Sequence, residues 1–373
     1  MKRLSYVFLG LSITSSWGNG HATTYRGLLS ALAARGHRIL FLERDLGHYA
    51  ANRDLPRPPY ARTELYESLA DLAQRFSFAV ASADVVIVGS FVPEGARVAA
   101  WVLAMARGAT AFYDIDTPET LAALEQGGSP YLAPELVPRF DLYLSFTSGP
   151  TLARIERRFG ARRARALCCS VDPDAYHPID APRRWDLGYL GTYDADRQRG
   201  LARLLLEPAQ RLPRGRFIVA GPQYPASITW PANVERTAHV SPGDHRAFYG
   251  AQRFTLSVTR RRMAEAGFSP SVRLFEAAAC GVPVISDSSP GLDEFFEVGR
   301  EILVADSADE VLRILATTSE AERVAVGARA RARVLAEHTG AHRAAALDGY
   351  VREVTGHPSI EEVSASAPEI IDP

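Results

Sequence analysis

The residues best suited to chemistry lie in one run, Gly267-Phe268-Ser269-Pro270-Ser271-Val272-Arg273-Leu274-Phe275-Glu276, which continues to Gly281-Val282-Pro283-Val284-Ile285-Ser286. Ser269 before Pro270 predicts a helix N-cap followed by the residue that best tolerates the first helical position. Gly281 predicts the stop, and Pro283 forbids continuation. Arg273 and Glu276 stand three apart on that helix and share a side. The other positions are small or apolar, which suits close packing on a sheet. A helix start with an arginine suits phosphate, and a carboxylate one turn on can accept from ribose hydroxyls. These are the groups a bound nucleotide requires.

Other loops offer polar groups beside predicted strands. Ser15-Ser16-Trp17-Gly18-Asn19-Gly20-His21 joins the first strand to the first helix. Gly18, Asn19 and Gly20 let backbone N–H groups approach an anion or a sugar, and His21 is either a base or a solvated cap. The loop lacks the G-x-G-x-x-G dinucleotide pattern, and an ordinary strand-to-helix turn is the alternative. In Asp114-Ile115-Asp116-Thr117-Pro118, Thr117 predicts a cap and Pro118 a first turn, leaving Asp116 to point into a cleft. Two solvated carboxylates are the plain alternative. A metal-chelating pair lacks a flanking acid cluster, so no metal is expected. Thr147 and Ser148, in Phe146-Thr147-Ser148-Gly149-Pro150, are placed to line the same cleft or simply to connect. In the second half, Gly191 and Thr192 with Arg197 one turn on suit a diphosphate. His239-Val240-Ser241 can meet a nucleobase edge through its backbone. Arg260, with Arg261 and Arg262, ends a strand and suits phosphate, or is a solvated basic turn.

The elements that position these loops alternate. Apolar strand-like runs at 5–11, 39–43, 84–89, 110–113, 141–146 and 164–169 are separated by helical patterns such as Tyr25, Leu28, Leu29 and Leu32, or 151–159. The Pro- and Asp-rich run 170–185 interrupts them as a linker. Strands then resume at 186–190, 217–220, 254–258, 282–286 and 301–304, with closing helices at 323–335 and 342–354. This is an α/β chain with two parallel-sheet blocks, whose ligands bind beyond the carboxyl ends of the strands.

At 373 residues the chain accommodates two domains. The net charge of −1 argues against a nucleic-acid binder. Lys2 is the only lysine, so phosphate must be met by arginine or backbone. Cys168, Cys169 and Cys280 read as buried thiols of a reducing compartment, with no zinc spacing. Lys2-Arg3 and the apolar run after it imitate a signal peptide but lack a small-residue cleavage site, so a first strand is expected. No segment approaches the ~20 apolar residues of a membrane span. A cytoplasmic protein is expected, and a homodimer is compatible with the sequence.

The stretch 259–286, together with YLGTYDADRQ, DIDTP and FTSGP, resembles the GT-B glycosyltransferases, and most of all the bacterial CgeB-type (spore maturation protein-like) group. The resemblance extends to about Val354. It implies two Rossmann-like domains facing a cleft: an acceptor domain 1–172, a linker 173–185, a nucleotide-sugar domain 186–338, a helix 339–355 crossing back to the first domain, and a disordered tail 356–373. It implies transfer of a hexosyl or related group from a UDP-, GDP- or dTDP-sugar co-substrate to a small-molecule, glycan or protein acceptor, with no other cofactor. Glu276 would hold the ribose, Arg273 with Ser269 and Ser271 the diphosphate or sugar, and Gly191, Thr192 and Arg197 the cleft floor. His239, Val240 and Arg260 complete the donor side, and Asp116 or His21 is the candidate base. Many retaining members carry two glutamates at fixed spacing, but Phe268 stands where the first would fall and Glu265 lies too early. A catalytically degenerate module of this fold and a sugar-nucleotide epimerase are the competing readings.

Overall fold

The structure, a computed structural model, describes residues 3–356. Of the expected tail 356–373, only Gly356 lies within the described residues, ending the last helix in the left-handed conformation (φ 68).

Two all-parallel sheets organise the chain. The first contains β1 (Ser5–Gly10), β2 (Arg38–Arg44), β3 (Arg62–Tyr66), β4 (Val85–Gly89), β5 (Ala109–Asp114), β6 (Leu142–Ser145) and β7 (Ala164–Ala166), in the order β3-β2-β1-β4-β5-β6-β7. The second contains β8 (Trp185–Leu190), β9 (Phe217–Ala220), β10 (Val234–Thr237), β11 (Gln252–Ser257), β12 (Val284–Ser286) and β13 (Leu303–Val304), in the order β10-β9-β8-β11-β12-β13. Central strands such as β4 and β5 are buried at every residue. They read as continuous apolar runs because helices cover both faces. The run expected at 5–11 is β1, paired to β2 on one side and β4 on the other.

Each sheet reverses its strand order once, between β1 and β4 and between β8 and β11. Such switch points open a crevice at the strand carboxyl ends. The loops there carry His21, Phe91, Gly191 and Arg260.

The segment 170–184 passes between the sheets without forming a helix or strand. The closing helices are Glu320–Glu337 and Gly340–Thr355, and the second packs on the first helix of the chain, His21–Ala34. Its buried Asp348 accepts from Tyr6 Oη (3.0 Å) and Arg35 Nε (2.7 Å) and lies beside His37 Nε2. Buried side chains of both sheets and of this helix, including Phe8, Tyr25, Phe275 and Leu347, form one continuous core. Among the described residues no helix is long and apolar enough to cross a membrane. The three cysteines are free and buried.

Candidate functional site

The site is a cleft of about 510 Å³ between the two sheets. On the second-sheet side it begins with the run that contains Arg273 and Glu276. The helix is Val272–Ala279, with Ser271 extended at the cap and making no side-chain cap bond. It therefore starts later than Ser269 and Pro270 predict. Gly267 (φ 66) and Phe268 (φ 51) turn the chain sharply, Phe268 N donates to Pro290 O, and Phe268 O accepts from Ser148 N (2.9 Å). These tethers fix residues 267–271 as a strap between the domains, without helix or strand. Gly281 (φ 70) ends the helix as expected.

Arg273 is only 7% exposed, yet it has no carboxylate partner. Its Nε donates to Leu190 O, its guanidinium lies 4.7 Å from the Tyr189 ring centroid, and Nη1 is buried with no partner. Gly191 makes this possible, because a Cβ there would stand 2.7 Å from Arg273 Nη2. Arg197 lines the same cleft and also has a buried, unpartnered Nε. A buried guanidinium without counter-charge, in a cleft with a second unpartnered arginine N–H, is costly unless an anion enters. One turn beyond Arg273, Glu276 is 4% exposed. It accepts from Tyr249 Oη (3.1 Å) and lies 3.7 Å from His245 Nδ1. His245 Nε2 reaches the Val240 carbonyl oxygen (3.3 Å), linking the 239–240 segment to the carboxylate.

On the first-sheet side, Asn19 Nδ2 donates to Ser12 O and Ser15 O while its Oδ1 receives His21 N. Buried Glu43 accepts from Ser12 Oγ, Ile13 N and Thr14 Oγ1, so the glycine loop is held from beneath. His21 opens the first helix, 3.7 Å from Asp116 Oδ2 through Nε2, and its Nδ1 has no partner. Arg260, from the other domain, donates to Asp116 Oδ1 at 2.7 Å. Burial pushes the Asp116 carboxyl up, but His21 and Arg260 outweigh it and hold it below the usual carboxylate range. Asp116, rather than Thr117, occupies the cap position of helix Thr117–Glu125, and its side chain does not cap. Its oxygens are committed across the cleft. Asp114 is no partner in a metal pair. It is fully buried, accepts from Thr120 Oγ1 and Tyr143 Oη, and burial raises its carboxyl to about 6.

Gly18, Asn19, Gly20, His21, Asp116, Gly191, Thr192, Arg197, His239, Val240, Arg260, Ser269, Ser271, Arg273 and Glu276 all line this cleft. Thr147 and Ser148 do not. Thr147 is buried, with its Oγ1 3.0 Å from Ser269 Oγ, and Ser148 holds the strap through Phe268 O. The loop is short and β6 ends beneath the strap, so its hydroxyls join the domains instead of facing the cavity. Phe268 does not line the cleft either. Its ring sits between Gly149 and Gly291, where a Cβ would approach within 2.6 Å and 2.2 Å. Arg261 and Arg262 turn away to Asp196 and Glu119, leaving Arg260 alone in the cleft. Three groups escaped the sequence reading. Tyr249 and His245 stand i and i−4 on helix Pro242–Gly250, a spacing visible in the sequence but without a motif. Phe91 adopts φ 63, which nothing in its sequence announces. Among the described residues no group of three or more His, Cys, Asp or Glu could hold a metal ion.

Residues 197–349 match the family model described as glycosyl transferase-like. No curated protein matches in sequence. In three dimensions the chain is similar to sucrose-phosphate synthase from Thermosynechococcus elongatus, at 16% identity and TM-score 0.70, over 95% of this chain and 100% of that one. It is also similar to Anabaena HepE in complex with UDP and glucose (13%, TM-score 0.67, 94% and 100%). A glycosyltransferase from Rickettsia africae matches at 11% and TM-score 0.64, over 96% and 100%. With two parallel Rossmann-like sheets, a cleft at their switch points and a last helix returning to the first domain, the chain has the GT-B fold of glycosyltransferases.

Proposed function

We propose that the protein is a glycosyltransferase that moves a hexosyl or related group from a nucleotide-diphosphate sugar to an acceptor hydroxyl, closest in type to the CgeB-like group. One observation carries the reading: Arg273 is buried without a counter-charge, one helical turn from buried Glu276, on the wall of one cleft. A diphosphate supplies the missing anion between Arg273 and Arg197, and Glu276 accepts from the ribose hydroxyls. The 239–240 backbone then faces the base. UDP is the nucleotide to try first, since the HepE structure of the same fold holds it.

The acceptor hydroxyl enters on the opposite wall, beside His21 and Asp116. Its oxygen bonds to the anomeric carbon, the bond from that carbon to the diphosphate oxygen breaks, and the electron pair departs with the diphosphate. His21 takes the hydroxyl proton, and Asp116 stabilises the imidazolium that results. The guanidinium groups and the helix start at Val272 neutralise the departing diphosphate, so this route requires no metal.

The test is a panel of UDP-, GDP- and dTDP-sugars, read as thermal shift and as nucleotide release. The expected result is one nucleotide class that both stabilises the protein and is turned over. Binding without release would favour the degenerate module. Interconversion of the sugar without transfer would favour the epimerase.

A further inference from the structure

A second cavity, of about 540 Å³, lies between the domains beside the cleft and shares Phe91, Asp194 and Arg260 with it. Its volume is that of a small-molecule site, ~300–1,000 Å³. We propose that Phe91, backed by Tyr131, is the platform on which a saccharide acceptor stacks in this chamber, a step that rests on the donor reading above.

Phe91 follows β4 at the switch point of the first sheet. It is 38% exposed and sits at φ 63. A bulky residue in that region is strained, and such strain persists where the surroundings impose it and function uses it. Core packing does not explain it, because the ring faces the chamber. One side lies on the Tyr131 ring, with centroids 4.6 Å apart and planes inclined by 33°. The His21 ring stands steeply inclined to it, at 70°, with centroids 5.4 Å apart.

The backing is rigid. Tyr131 is buried, and its hydroxyl lies 2.9 Å from Thr120 Oγ1, which in turn donates to Asp114. Its backbone abuts Gly95, where a Cβ would come within 2.8 Å of Tyr131 Cα.

The chamber's rim is polar, with Glu119, Asp194 and Asp196 facing Arg260, Arg261 and Arg262. One aromatic face against a rim of carboxylates and guanidinium groups fits a sugar ring. A pyranose presents C–H groups to the negative face of an aromatic and hydroxyls to the rim. An acyl chain would require apolar lining all round. His21 lines the adjoining cleft, which Phe91 also lines, so a ring stacked on Phe91 where the two cavities meet directs a hydroxyl toward the proposed base.

Saturation-transfer NMR on the full chain with bound UDP tests this, using methyl glucopyranosides and maltose as probes and umbelliferone as a flat apolar comparator. UDP affinity is measured separately, and its absence in the wild type would indict the donor reading rather than this one. With UDP bound, the saccharide ring C–H protons are expected to receive saturation. Phe91→Ala and Phe91→Gly, the latter relieving the left-handed strain, are expected to lose at least several-fold of that signal at unchanged UDP affinity. Phe91→Tyr should restore it. Saccharide contact that survives both truncations, contact with umbelliferone alone, or no saccharide contact in the UDP-bound wild type would overturn the proposal.

Discussion

At the scale of single residues, the cleft holds charges whose partners are incomplete. Arg273 and Arg197 hold desolvated N–H groups with nothing to donate to. Inorganic pyrophosphate should therefore compete with UDP, and Arg273→Gln should abolish that competition while UDP itself still binds more weakly; equal pyrophosphate binding by both proteins would remove Arg273 from the clamp. On the other wall, Asp116→Asn and His21→Asn are each expected to cut turnover by ~100-fold or more with UDP affinity kept. The configuration of the product at the anomeric carbon adds a direct check. Proton transfer to His21 in a single displacement predicts inversion. Retention would place the proton on the leaving diphosphate and reduce His21 and Asp116 to holding the hydroxyl.

At the scale of elements, two contacts join the domains beside the cleft. The first is the Arg260–Asp116 pair. Because Arg260 helps hold the Asp116 carboxyl low, Asp116 stays ionised to lower pH than an ordinary carboxyl. Arg260→Gln removes that charge, so the Asp116 carboxyl should titrate at higher pH than in the wild type, as read by carboxyl-carbon NMR; an unmoved titration would show that Arg260 does not hold it. The second is the strap, whose Phe268 ring fits between Gly149 (φ 60) and Gly291 (φ 78). Gly149→Ala adds a Cβ both in a region alanine avoids and against the ring, and should destabilise by more than ~1 kcal/mol in chemical denaturation. The elements were legible to different degrees. Central strands such as β4 and β5 are continuous apolar runs, and the sequence marks them to within a residue or two. β3 and β10 escape because they are short edge strands, RTELY and VERT, made mostly of polar residues with no apolar run. The cleft residues of 267–276 were legible because Arg, Glu and Gly occur there in a recognisable spacing. The bend at Phe268, the pairing of Thr147 with Ser269 and the strain at Phe91 were not, since each is imposed by a neighbour distant in sequence.

At the scale of the whole molecule, two buried groups oppose each other as pH falls. Burial raises Asp114 to about 6, so the folded state binds its proton more readily than the unfolded one. Its stabilising contribution is complete below ~4 and is lost as pH rises through about 6. His338 sits against Phe275, Phe295 and Phe296, and burial lowers it to about 3. Its contribution is complete above ~6.5 and is lost as pH falls toward 3. Between pH ~4 and 6 the two nearly cancel, each near ~1.4 kcal/mol per pH unit at most. Asp114→Asn should therefore make stability fall more steeply on acidification than in the wild type, as read by denaturant midpoints across that range; a parallel profile would contradict the assignment. Glu276 and the arginines beside it are proposed to form a nucleotide-sugar donor pocket. Calorimetric titration of UDP into the wild type and Glu276→Ala tests it most directly. The account predicts saturable binding by the wild type and a loss of ~10–100-fold in the variant, as expected when hydrogen bonds to a charged group are removed. Unchanged affinity in Glu276→Ala would contradict it.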